Sequence, residues 1–320
     1  MLANRFKATC FLTFHCNYQC PYCQYNQEKI WLKNPDIDGE WWIRFFKSLP
    51  ASLIHFTGGE PFCYRDFFSI MEELPFRHIF WVISNLSPPI DTLKRFIDKV
   101  HQEQLLVFCA SLHPLQKQFN LREFKDKIRF LLSHGIPVLV NYVAYPPQLH
   151  LVPKLRDHIT NVGAIFNVEP FISADYLYSE QEQEVVKQLV VQQRKMNYCW
   201  EERGMEKWCS AGMDYVTVVS TGDIYRCQSG FARHNKEEFK LGNIVSGFSL
   251  NSIPLSCFEP CPSTCDQHMV TITDGEGNVI HNTLYRSELE LLLVKSLSRH
   301  RTIRKLWEMI PQRQIFKMVS

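Results

Sequence analysis

Apolar runs of six to nine residues alternate with amphipathic stretches from Lys7 to about Met196. The runs are KATCFLTF (7–14), SLIHFT (52–57), HIFWVIS (78–84), LLVFCAS (105–111), PVLVNYVAY (137–145) and AIFNVEPFI (164–172). Nearly continuous hydrophobic runs of this length predict strands covered on both faces. Between them, apolar residues recur at helical spacings: Trp41, Trp42, Phe45, Phe46 and Leu49; Phe67, Phe68, Met71 and Leu74; Ile90, Leu93, Phe96, Ile97 and Val100; Leu121, Phe124, Ile128, Leu131 and Leu132. Asp38 is placed to cap the first helix, and Pro50 lies just past its end. Gly135 is placed to stop the fourth, because glycine enters the left-handed region cheaply. LHLVPKLRDHI predicts a fifth helix that Pro153 delays or kinks. SEQEQEVVKQLVVQQRKM predicts a sixth, more polar one.

Six strand–helix units in succession predict an α/β fold, a partial TIM-like (β/α)6 barrel with its active residues in the loops after the strands. From about residue 205 the texture changes. YVTVVSTGDIYRC (215–227) alternates apolar and polar residues about a Thr-Gly-Asp turn, and VTITDGEGNVI (270–280) does the same, so each predicts a β-hairpin. The tail, ELELLLVKSLSRHRTIRKLWEMI, predicts a helix that grows basic toward its end. The expected organisation is a core domain (1–204), a small extension (205–270) and a hairpin with a helical tail (271–320).

Composition narrows the function classes. The 320 residues are 45% hydrophobic with a formal net charge of +2, and they carry no dense basic stripe, which argues against a nucleic-acid partner. The basic tail, with Arg299, Arg301, Arg304 and Lys305, reads as a solvated helix face. No apolar run reaches membrane-span length, and the N-terminus lacks a secretory pattern, so no membrane association and a cytoplasmic location are expected. Twelve cysteines are many for a reducing compartment, where metal binding or catalysis explains them better than disulfides. Cys10, Cys63, Cys109 and Cys199 stand alone and are expected to be small buried hydrophobes.

Cys16, Cys20 and Cys23 crowd into CNYQCPYC, directly after the first strand. A structural zinc site wants a fourth ligand, which His15 could supply. A four-iron cluster held by only three thiolates keeps one iron open, the mark of a catalytic centre. The trio at this spacing, with Tyr22 before the last cysteine, resembles the signature of radical S-adenosylmethionine (SAM) enzymes, and GGEP (58–61) after the second strand matches that family's second motif. The resemblance implies a [4Fe-4S] cluster on Cys16, Cys20 and Cys23 whose open iron binds SAM. It implies that Gly58 and Gly59 admit the methionine amino group and that Glu60 accepts its hydrogen bond. Asn85 and Ser111, ending the third and fourth strands, are implied contacts to the ribose and carboxylate of SAM. His113, Asn141 and Glu169 lie near the same mouth and read as structural polar groups that could also touch substrate.

The second cysteine group, Cys209, Cys227, Cys257, Cys261 and Cys265, is spaced more loosely than a zinc ribbon. With Gly222 five residues before Cys227, it resembles the auxiliary-cluster extension known as SPASM, or twitch in its shorter form. Five cysteines in place of seven imply one auxiliary [4Fe-4S] cluster. Cys209, Cys227 and Cys261 are the expected ligands, with Cys265 preferred to Cys257 as the fourth. The spare thiol is either inert or a hydrogen-atom donor of the kind an epimerase needs.

The implied reaction is reductive cleavage of SAM to a 5′-deoxyadenosyl radical that takes hydrogen from a substrate carbon, giving an oxidation or an epimerisation. It calls for a reducing partner such as flavodoxin or ferredoxin. The trio begins at residue 16, leaving no room for a fused peptide-binding domain, so a small sugar- or nucleoside-type metabolite is the expected substrate. A ribosomally made peptide is the alternative. A zinc-binding nucleic-acid or interaction protein is the competing class.

Overall fold

The computed structural model describes residues 5–23, 25, 35–171, 177–189, 207–232, 236–257, 270–274, 276 and 279–281. Six parallel strands lie side by side in chain order: β1 (Phe6–Thr13), β2 (Ser52–Gly58), β3 (Ile79–Ser84), β4 (Leu105–Ser111), β5 (Val138–Ala144) and β6 (Ile165–Pro170). The connecting helices are α1 (Gly39–Ser48), α2 (Phe67–Glu73), α3 (Ile90–Lys99), α4 (Leu121–Ser133) and α5 (Val152–Thr160), and α6 (Glu180–Leu189) follows β6. This is the partial barrel that the alternating runs predict. The expected C-terminal helix, Cys199, Cys261 and Cys265 lie outside the described residues.

Strand alternation divides the barrel into two faces. The outer face, with Ala8, Cys10, Ile54, Phe56, Phe80, Val82, Phe108 and Val140, packs against the helices. Aromatic rings join the layers there: Phe46 of α1 lies 5.5 Å from Phe56 of β2, which lies 5.6 Å from Phe80 of β3. Each such buried ring contributes about 1.5–3 kcal/mol. The inner face is apolar at the strand starts, where Leu53, Ile79, Val107 and Leu139 cluster with Ala211, Tyr215, Val270 and Ile272 from the extension.

The extension continues the barrel sheet. In the hairpin of β8 (Tyr215–Val218) and β9 (Asp223–Tyr225), β8 pairs in parallel with β1 on the side away from β2. β10 (Lys240–Asn243) and β11 (Gly247–Phe248) add antiparallel beyond it. A second sheet takes β7 (Lys207–Cys209), β12 (Leu255–Cys257), β13 (Ile272–Thr273) and β14 (Val279–His281), in the order β12-β7-β13-β14. Both expected hairpins form. Among the described residues no helix is long and apolar enough to cross a membrane.

Local expectations hold with two departures, at Asp38 and at Cys63. Gly135, at φ +76°, ends α4, and the Ile136 and Gly135 N–H groups close back on Leu131 and Leu132. Pro153 sits in the first turn of α5, after a 3₁₀ turn over Pro146–Leu151. Asp38 occupies the N-cap position of α1, but its side chain makes no hydrogen bond to the helix backbone. Asp66, just before α2, takes that role by accepting from Gly39 N at 2.8 Å, and Asp38 pairs with Arg65 instead. Cys10 and Cys109 are buried as expected, whereas Cys63 is exposed, because it ends a 3₁₀ turn on the surface of the loop after β2.

His78, just before β3, is fully buried. Its Nδ1 accepts from Ser52 N at 3.2 Å, and its Nε2 donates to Phe46 O at 2.8 Å, a pairing that needs the neutral ring. Burial lowers its pKa from 6.5 to about 4. The folded value lies below the unfolded one, so the stability it confers is complete above pH 6.5 and drains away as the pH falls toward 4. The shift corresponds to about 3 kcal/mol. In urea unfolding, the stability of wild type relative to His78→Gln is therefore expected to fall by about that amount between pH 7 and pH 4. A difference independent of pH would refute this account.

Candidate active site

At its end β1 runs directly into the cysteine loop. Two backbone hydrogen bonds fasten this loop to the one after β2: Gly59 N donates to Thr13 O at 2.7 Å, and Glu60 N to His15 O at 2.8 Å. Only glycines permit the approach. A Cβ on Gly58, at φ +141°, would lie 2.1 Å from Thr13 O, and one on Gly59 would lie 2.1 Å from His15 O. The space these glycines leave is thus occupied by the protein's own carbonyls.

Two of the three thiols already face hydrogen-bond donors. Cys16 Sγ accepts from Tyr18 N at 3.4 Å and lies 3.8 Å from Asn85 Nδ2, and Cys20 Sγ accepts from Gln116 Nε2 at 3.5 Å. The Tyr22 hydroxyl meets His113 Nδ1 at 2.8 Å. Burial pushes the Cys16 and Cys20 thiols up to about 12, and the neighbouring thiols add to the effect. They ionise only when a metal takes the proton's place. Among the described residues no three His, Cys, Asp or Glu side chains converge as ligands of a single metal ion do. A four-iron cube takes each thiolate on a different iron, so its ligands stand farther apart. Three thiols on one loop, with N–H donors aimed at two of them, make a donor set that fits such a cluster.

Glu60 is 1% exposed and heavily engaged. Its Oε1 accepts from Phe62 N at 3.2 Å and Ser84 Oγ at 2.9 Å, and its Oε2 accepts from Asn85 N at 2.7 Å. These bonds tie the loop after β2 to the end of β3. Burial raises its pKa to about 7, and the three donors act in the opposite sense. A carboxylate offers about four acceptor positions, so one stays open for a cation such as an ammonium group. Asn85 carries the connection onward by donating from Nδ2 to Asn17 Oδ1 at 2.8 Å, beside Cys16.

Ser111 is half-buried at the end of β4, in register with Asn141 of β5, which is in register with Asn167 of β6. Asn167 Nδ2 donates to Asn141 Oδ1 at 3.0 Å and to Glu169 Oε1 at 2.6 Å. The inner face therefore turns from apolar at the strand starts to polar at the mouth. Sequence reasoning missed Asn167, which sits within an apolar run, and Gln116, whose only signal was its place in the loop after β4.

The second cysteine group is partly described. Cys209 on β7 and Cys227 pack against the inner apolar cluster of the barrel. Cys209 pairs with Leu255, and Lys207 with Cys257, so Cys209 and Cys257 are diagonal neighbours on one face of the β7–β12 pair. Cys227 Sγ accepts from Gly230 N at 3.2 Å in the short helix Gln228–Phe231. That helix reaches the first cysteine loop: Phe231 stacks on Phe14 at 5.7 Å, and Gln228 Nε2 donates to Tyr25 Oη at 3.0 Å.

The fold is similar to that of Streptococcus suis SuiB bound to S-adenosylmethionine, at 17% identity and a TM-score of 0.54 over 77% of this chain and 62% of that one. SuiB bound to precursor peptide SuiA is similar at 16% identity and a TM-score of 0.52 over 73% of this chain and 61% of that one. anSMEcpe with bound AdoMet and Cp18Cys peptide is similar at 15% identity and a TM-score of 0.54 over 76% of this chain and 78% of that one. The chain thus spans less than two thirds of the length of SuiB. No curated protein matches it in sequence. Residues 11–149 match the radical SAM superfamily, and this span holds the cysteine trio, the glycine loop and the polar ends of β3 and β4. That match covers less than half of the chain, and the superfamily it is similar to uses a [4Fe-4S] cluster and S-adenosylmethionine as cofactors.

Proposed function

We propose that the chain is a radical SAM enzyme that abstracts a hydrogen atom from a carbon of a peptide substrate and carries one auxiliary [4Fe-4S] cluster. The observation that carries the reading is the backbone stapling of the cysteine loop to the glycine loop, through Gly59 N to Thr13 O and Glu60 N to His15 O. It sets three thiols, an open acceptor position on Glu60 and the polar mouth of the barrel around one place. When bound and reduced, the cluster and SAM supply a 5′-deoxyadenosyl radical.

In this reading Cys16, Cys20 and Cys23 hold the cluster. Gln116 directs a hydrogen bond at Cys20, and Asn85 sits beside Cys16. The free acceptor position of Glu60 receives the ammonium group of SAM, and Ser111 receives its ribose or carboxylate. Tyr22 and His113 line the wall beside them and keep water out. Cys209, Cys227 and Cys257, with a ligand from Cys261 or Cys265, hold the auxiliary cluster. The diagonal placement of Cys257 beside Cys209 supports it over the sequence-based preference for Cys265. A flavodoxin or ferredoxin is the proposed reductant.

The peptide reading draws support from the fold shared with proteins whose structures contain a precursor peptide or the Cp18Cys peptide. A sugar or nucleoside substrate has no comparable support. The test is anaerobic reconstitution with iron and sulfide, followed by dithionite and SAM. Release of 5′-deoxyadenosine by protein holding about eight irons is the expected result. Zinc in place of iron, or no nucleoside release, would reject the reading.

A further inference from the structure

At the mouth of the barrel the Glu169 carboxyl lacks a charge partner among the described residues. Glu169, near the end of β6, is half-buried and closely surrounded by protein. Among the described residues its side chain has one hydrogen-bond partner, Asn167 Nδ2 at 2.6 Å, and forms no ion pair. Burial raises its pKa, with only the Asn167 hydrogen bond opposing. Asn167 is itself held by Asn141 Oδ1 at 3.0 Å, so the carboxyl is fixed from behind while Oε2 has no partner among the described residues. A carboxylate kept this way costs free energy unless a positive charge joins it.

The surroundings suit such a charge. Glu169 is in register with Val143, and Tyr145 and Phe171 each lie two residues further along the same two chains. Their rings meet at 5.4 Å, and Tyr145 meets Tyr22 of the cysteine loop at 5.2 Å. All three aromatic side chains are half-buried, leaving part of each ring open. A carboxylate beside open aromatic rings is a combination that attracts ammonium and guanidinium groups.

We propose that Glu169, backed by Asn167 and Asn141 and flanked by Tyr145 and Phe171, is the specificity-determining residue for a cationic group of the substrate, an ammonium or guanidinium. This rests on the reading of the barrel mouth as the substrate site. The charge would come from a lysine or arginine side chain of a peptide, or from a free amine.

The experiment uses the anaerobically reconstituted full chain and calorimetric titration with three probes: N-acetyl-lysine-N′-methylamide, its norleucine isostere and n-butylamine. The lysine probe is expected to bind at least about 30-fold more tightly than the norleucine probe, as the loss of a buried charge partner predicts. In Glu169→Gln that preference is expected to disappear. A lysine probe that outcompetes n-butylamine assigns the charge to a peptide, and equal binding assigns it to a free amine. The wild-type comparison of lysine and norleucine probes stands even if Glu169→Gln fails to fold. Equal affinities for those two, no measurable binding of any probe, or an unchanged preference in a folded Glu169→Gln overturns the proposal. Release of 5′-deoxyadenosine is scored on the same wild-type samples. Its absence rejects the radical reading, whereas its presence without cation preference rejects the role of Glu169 alone.

Discussion

Replacing Cys20 by alanine is expected to lower bound iron by about four atoms per chain and to bring 5′-deoxyadenosine release down to the level of iron-free protein. Cys20 is the central member of the trio, and its sulfur accepts from Gln116 Nε2. Its removal takes away one leg of a three-legged support and leaves the Gln116 donor without its acceptor. Gln116→Ala provides the scale. It removes a donor to a ligand while leaving the ligand in place, and such outer contacts are worth roughly 10–100-fold in metal affinity or activity. The Cys20 variant is expected to lose far more than the Gln116 variant, with iron analysis and cluster absorbance following the same order. Full nucleoside release by Cys20→Ala would remove the trio from the chemistry.

Features set by neighbouring residues were legible in the sequence; features set by contacts across the fold were not. The alternation of apolar runs and helical spacings revealed β1 to β6 and their helices, since burial on both faces demands continuous hydrophobicity. Gly135 and the Thr-Gly-Asp turn revealed where chains reverse. The pairing of β8 with β1 was hidden, because the two strands lie some two hundred residues apart and no local pattern marks a partner. The cap of α1 by Asp66 was hidden for the same reason: an acidic residue sat at the expected place, and a second one, 27 positions from Gly39, reached its backbone N–H instead.

The site divides along the same line. CNYQCPYC and GGEP announce themselves by spacing, and both glycines prove necessary because carbonyls of β1 and its loop occupy the room a Cβ would need. What holds these loops together is invisible in the chain, since Glu60, Ser84, Asn85 and Asn17 form a connected set only after β2 and β3 pair. The polar ladder of Asn141, Asn167 and Glu169 was legible only at its ends, since Asn141 and Glu169 read as mouth residues and Asn167 did not. Each residue lies in or beside a run that reads as hydrophobic, and register alone brings them together.

Glu60→Ala is expected to destabilise the protein even before any SAM is added. A residue serving only to contact SAM could be truncated with little effect on the ligand-free fold. Glu60 instead accepts from Phe62 N, Ser84 Oγ and Asn85 N in a buried setting, so truncation leaves three donors without their acceptor. Each unsatisfied group costs about 1–3 kcal/mol, and even at the low end the sum is about 3 kcal/mol. For a chain of this size that is a fall of about 4–5 °C in Tm. Glu60→Gln is the informative companion. It keeps an oxygen for Phe62 and Ser84 but turns an amide N–H toward Asn85 N, so a donor meets a donor and stability is recovered only in part. The same substitution removes the negative charge available to the ammonium group of SAM. The two variants are therefore expected to separate in melting temperature while both bind SAM weakly in equilibrium titrations. Unchanged melting of ligand-free Glu60→Ala would show that the three hydrogen bonds do not brace the loops, and the path from the glycine motif through Asn85 to the cysteine loop would then lose its physical basis.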